Sequence, residues 1–97
     1  MESGYKIQWT DFALKELADT YEYLELNFSK KELIKLSVEI ERVLRLISKN
    51  PNLFPQSDTK RVRRVVIKKF NTLYYRESSS IAEILSFYSN RQKPKKS

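Results

Sequence analysis

The chain has no cysteine and no histidine among its 97 residues, and its only glycine is Gly4. Without cysteine there is no disulfide framework and no thiolate metal site, which fits a reducing cytoplasm. Without histidine, a Ser-His-Asp triad, a Cys-His pair and a histidine metal cluster are all excluded. Acid–base chemistry would fall to Asp, Glu, Lys or Tyr. A lone glycine leaves no Gly-rich loop to cradle a phosphate. No apolar run approaches the roughly 20 residues of a membrane-spanning helix, and no basic-then-apolar leader precedes Ile7. The expectation is a soluble, unprocessed cytoplasmic protein that needs neither metal nor cofactor.

Ninety-seven residues make one domain, 1–97, and 40% hydrophobic with 12% aromatic residues suffices to build its core. The net charge of +7 is unevenly spread. Residues 1–58 hold 8 Lys/Arg against 10 Asp/Glu, whereas residues 59–97 hold 11 against 2. The positive field therefore belongs to the C-terminal half, where it would steer phosphates or an acidic protein.

Tyr5 to Trp9 alternates apolar and polar residues, the period of a half-buried strand. Thr10 or Asp11 offers an N-cap oxygen, and Leu14, Leu17, Tyr21, Leu24 and Phe28 follow as a helical stripe. Ser29 and Glu32 form a capping box that opens a second helix. Its stripe is Leu33, Leu36, Ile40, Val43 and Ile47, and Asn50-Pro51 ends it. So short a connection makes the two helices antiparallel. Beyond a proline-bearing loop, Arg61–Ile67, Phe70–Arg76 and Ile81–Tyr88 read as strands, with turns at Lys68-Lys69 and Ser78–Ser80. The expected class is α+β, β-α-α-β-β-β. An antiparallel helical hairpin covers one face of a mainly antiparallel four-stranded sheet. Residues 91–97 read as a flexible basic tail.

A helix pair covers one sheet face, yet Tyr74-Tyr75, Ile84-Leu85 and Phe87-Tyr88 put apolar or aromatic side chains on both. Either the sheet curls and closes, or an apolar surface stays open beside the arginines. The candidate binding residues are Lys60, Arg61, Arg63, Arg64, Arg76, Tyr88 and Arg91. Which of Arg63 and Arg64 faces the site is ambiguous from strand parity. Arginine interleaved with tyrosine suits nucleic acid as well as an acidic protein. Glu39 and Glu41 diverge on a helix and read as a solvated face, and Glu77 and Glu83 read as ion-pair partners.

Three stretches carry a family likeness: Asn50 to Pro55, Leu73-Tyr74-Tyr75-Arg76, and Ile84 to Pro94. Together with the element order they resemble the RelE/ParE toxins of type II toxin-antitoxin systems, over Tyr5 to Pro94. The Arg91-Gln92-x-Pro94 ending is similar to the ParE-type branch. The resemblance implies a toxin encoded beside an acidic antitoxin that wraps it and covers its working surface. RelE-like members cleave messenger RNA on the ribosome. In that case Arg61, Arg64 and Arg91 would stabilise phosphorane charge, with Tyr88 the nearest acid–base group. This chain departs from that pattern: Asn71-Thr72 stands where cleaving members place an arginine, and no Tyr or His follows Arg91. ParE-like members bind DNA gyrase without catalysis of their own, which is the favoured reading. A degenerate toxin that only binds a partner, and a small nucleic-acid binder, are the alternatives. Sequence does not fix the oligomeric state.

Overall fold

The computed structural model describes residues 4–59 and 61–90. The elements run β1 (Lys6–Trp9), α1 (Asp11–Asn27), α2 (Lys30–Lys49), β2 (Arg63–Ile67), β3 (Asn71–Ser78) and β4 (Ile81–Ser89). Both helix starts are set by their caps. The Thr10 hydroxyl accepts from Ala13 N at 3.1 Å, and Ser29 Oγ accepts from Glu32 N at 3.3 Å. At the far end of α2, Asn50 N donates to Leu46 O, and Asn50 Oδ1 accepts from Asn52 N to start the loop.

The sheet order is β1-β4-β3-β2, antiparallel except where β1 runs parallel to β4 at one edge. The parallel pairing follows from connectivity: the helical hairpin and two further strands intervene before the chain returns beside β1. A bulge at Tyr74/Tyr75 shifts the β3–β4 register, so Tyr74 pairs with Ser86 and Tyr75 with Ile84, leaving Leu85 unmatched. The extra residue lets Ile84 and Phe87, three apart, both face the core.

That core lies between α2 and the sheet. Leu36, Ile40, Val43 and Ile47 meet Val65, Ile67, Leu73, Tyr75, Ala82, Ile84 and Phe87, all buried. Each such aliphatic or aromatic burial contributes about 1.5–3 kcal/mol. α2 thus buries the stripe read from its sequence, except that Leu33 in its first turn is only partly buried. α1 does not follow its stripe so closely. Leu14 and Phe28 are 47% and 44% exposed, while Ala13, Thr20 and Leu24 are buried. Small residues at 13 and 20 bring the helix close to β4, and the larger side chains then sit on its flank.

The strands are also shifted relative to their expected limits. β2 starts at Arg63, because Arg61 lies in a turn with φ 66° and Val62 N donates to Thr59 O. Phe70 belongs to the β2–β3 turn, and β3 runs on through Ser78. The basic tail, with Arg91, lies outside the described residues, as does Lys60. No described helix is long and apolar enough to cross a membrane.

Candidate functional site

Tyr75 fixes the geometry of the loop beside β2. Its ring is wholly buried and its hydroxyl donates to Pro51 O at 2.6 Å. Burial pushes its phenol pKa up, with the Arg63 charge pulling partly the other way. Arg63 stands opposite Tyr75 in the ladder, on the helix side of the sheet, and its guanidinium donates to Phe54 O at 2.7 Å. The same loop bonds β2 through Arg64 N to Pro55 O, and the residue before it through Ser57 N to Val62 O. Arg63 is therefore a clamp that seats residues 54–57 against the sheet edge. The parity left ambiguous by the sequence is resolved, and Arg64 takes the opposite face.

On that opposite face, Val66, Thr72 and Tyr88 form one row across three strands, since Thr72 is the ladder partner of both Val66 and Tyr88. Val66 and Tyr88 are 57% and 48% exposed. The neighbouring row carries Arg64 and Tyr74, and strands about 4.8 Å apart hold these side chains side by side. Arg64, Tyr74, Ser57, Asp58 and Thr59 bound an open depression of about 330 Å³. Arg64 makes no ion pair among the described residues. A third row sets Arg76 against Glu83, joined at 3.0 Å.

Of the seven residues singled out from sequence, the structure brings Arg64, Arg76 and Tyr88 onto this face. Arg61 sits at its loop end, beside a second depression of about 330 Å³ lined with Asn52, Gln56, Arg63, Glu77 and Ser79. Arg63 does not join them. Lys60 and Arg91 fall outside the described residues. Sequence reading passed over Val66, Thr72 and Tyr74 as site residues. Strand parity would have found them once Tyr75 was assigned inward.

The glutamates weighed from sequence are all partnered. Glu39 pairs with Arg42 at 2.6 Å, which lowers its carboxyl pKa, and Glu41 pairs more loosely with Arg45 at 3.8 Å. Glu77 Oε2 accepts from the Tyr5 hydroxyl at 3.1 Å, which raises that phenol's pKa. Glu16, unflagged by any sequence signal, accepts from both Ser86 Oγ and Phe87 N at 2.7 Å. No group of acidic residues with metal-ligand spacing exists among the described residues.

Among curated proteins no match is found. Among solved structures, the fold is similar to the chromosomal ParDE toxin-antitoxin system from P. aeruginosa. That match has a TM-score of 0.74 and 15% identity, covering 91% of this chain and 98% of that one. It is also similar to a conserved hypothetical protein from Helicobacter pylori, with a TM-score of 0.51 and 20% identity, covering 90% and 96% of the two chains. Identities this low establish a shared fold. The sequence itself matches the model of the ParE toxin of the type II toxin-antitoxin system, parDE, over residues 7–94. That match spans every strand and helix from Ile7 onward, and on it the chain belongs to the ParE toxin family.

Proposed function

We propose that this protein is a growth-inhibiting toxin that binds DNA gyrase in the cytoplasm and is neutralised by an acidic antitoxin. The observation that carries this reading is the uncovered sheet face. There the row Val66–Thr72–Tyr88 adjoins Arg64 and Tyr74, and α1 reaches it only at the β4 end, where Glu16 and Asp19 lie beside Tyr88. An exposed apolar strip flanked by an unpaired arginine suits a protein partner that supplies carboxylates and apolar contacts. Such a face favours binding over message cleavage. Glu83, the carboxylate on its third row, is held by Arg76 rather than poised as a base.

Purified protein is expected to inhibit gyrase supercoiling and to accumulate cleaved DNA. Arg64→Glu and Tyr74→Ala each weaken this by roughly tenfold, the effect of losing a well-placed interface anchor, with little change in melting temperature. Arg63→Ala instead lowers the melting temperature, because it unseats the loop at Phe54. Unimpaired supercoiling alongside cleavage of ribosome-bound message would replace the gyrase reading with the nuclease one. Arrested growth relieved by the neighbouring gene product supports the antitoxin pairing.

A further inference from the structure

A sheet offers unpaired amides and carbonyls wherever it has an edge, and most proteins cover or distort those edges. This sheet has three such stretches, and the chain treats them differently. Along β2, the segment 54–57 lies against the strand, with Arg64 N on Pro55 O and a bridge between Gln56 and Arg63. Along β4 beyond the end of β1, Glu16 of α1 occupies the amide of Phe87. Along β1 only the residue before the strand is covered: Tyr5 N donates to Ser48 O, and Ser48 Oγ donates to Tyr5 O.

Among the described residues, nothing covers the edge of β1 itself. Lys6 N donates to Ser80 O and Thr10 N to Ile84 O, so residues 6, 8 and 10 turn their backbone groups toward β4. Tyr5, Ile7 and Trp9 therefore turn theirs outward, and those of Ile7 and Trp9 meet no partner among the described residues. Beside them, Ile7, Glu41, Leu44, Arg45 and Ser48 line a shallow hollow of about 300 Å³.

We infer that this edge joins a second copy of the chain, β1 to β1 in antiparallel sense about a twofold axis at Gln8. The edge is complementary to itself in each respect that such pairing demands. Ile7 of one copy would exchange both backbone hydrogen bonds with Trp9 of the other, and the reverse pair follows by symmetry, giving four. On the helix side, each Ile7 then lies across from a tryptophan, a favourable aromatic–aliphatic pair. On the other side, Gln8 meets Gln8 and Lys6 meets Thr10, so no like charges stand opposite. Above the strands, each hollow presents one carboxylate and one guanidinium. The loose, exposed Glu41–Arg45 pair can re-form across the axis. A stable dimer buries about 800 Å² per partner, more than a four-residue strand supplies, so the α2 surface around Leu44 must contribute. The dimer is accordingly weak and concentration-dependent, a continuous eight-stranded sheet made from two four-stranded ones.

Gln8 is exposed and its side chain would sit on the axis, which makes it the test position. With no native cysteine, Gln8→Cys places a single thiol in the chain. The proposal expects rapid disulfide cross-linking under mild oxidation, because facing non-hydrogen-bonded pairs bring Cα atoms to about 4.5 Å, within the roughly 4.4–6.8 Å that a disulfide spans. In sedimentation, Gln8→Lys and Gln8→Glu should each weaken self-association several-fold, while an equimolar mixture of the two restores it as a heterodimer. Rescue on mixing separates the interface from a folding defect, which mixing cannot repair. Wild-type protein that stays monomeric across all concentrations overturns the inference. So does a Gln8→Cys variant that fails to cross-link, or charge variants that associate as the wild type does. Protection of β1 only when an acidic partner's extended segment is added would assign the edge to that partner instead.

Discussion

Tyr75 spends its hydroxyl on one carbonyl and its ring on the centre of the core. Removing the oxygen while keeping the ring leaves Pro51 O, at a buried residue, without its donor. Tyr75→Phe is expected to cost about 1–3 kcal/mol in urea denaturation, the penalty of an unsatisfied buried acceptor. The same variant tests a pH effect. Burial raises the folded-state phenol pKa above its ordinary value of 10.0, so the unfolded chain ionises first as pH rises. The stabilisation is complete below the ordinary value and is lost as pH climbs through the folded one. Tyr75→Phe should remove that part of the alkaline slope, and an unchanged slope would place its origin elsewhere. Residue identity made Tyr75 conspicuous but not its direction. Arg63 and Arg64 show why: two adjacent arginines carry no hydrophobic cue, so their faces are set by Tyr75 and Tyr74 across the ladder.

Element boundaries were legible where a single side chain decides them. Thr10 and Ser29 cap their helices through short, local hydrogen bonds that the sequence spells out. The burial of α1 was less legible, because its contacts depend on Ala13 and Thr20, residues too small for a hydrophobic stripe to reveal. Glu16 was illegible for a related reason, since its partners Ser86 and Phe87 lie some 70 residues away. It ties α1 to the edge of β4, so Glu16→Ala should destabilise the fold by about 1–3 kcal/mol. Glu16→Gln keeps an acceptor oxygen and should cost clearly less; equal losses would mean that the charge, not the acceptor, matters. The β3–β4 turn offers the opposite opportunity. Ser79 and Ser80 have φ of 45° and 67° between the paired residues Ser78 and Ile81. A two-residue turn with both φ positive favours Asn-Gly, and serine holds this conformation at a cost. Ser80→Gly should raise stability by about 0.5–1 kcal/mol, read as a higher melting temperature. A lower one would reveal a contact made by the serine side chain.

At the scale of the whole molecule, the pairing of β1 with β4 was not legible, since hydrophobic alternation fixes a strand's faces and not its neighbour. The asymmetry of charge was legible, because it needs only counting: 8 Lys/Arg against 10 Asp/Glu up to residue 58, and 11 against 2 beyond it. The fold converts that linear asymmetry into a spatial one, placing Arg64 and Arg76 on the strands and the acidic majority on the helices and their neighbours. On the proposed reading, a field of this kind would accelerate encounter with an acidic antitoxin more than it would strengthen the final complex. Stopped-flow mixing of toxin and antitoxin should therefore show an association rate falling by about tenfold or more from low to about half-molar salt. The dissociation rate should change far less. Arg64→Glu should reproduce part of the salt effect at low salt, whereas Lys15→Glu on α1 should leave the rate nearly unchanged. If both substitutions slow association equally, net charge is what attracts the partner, and the strand-borne arginines have no directing role of their own.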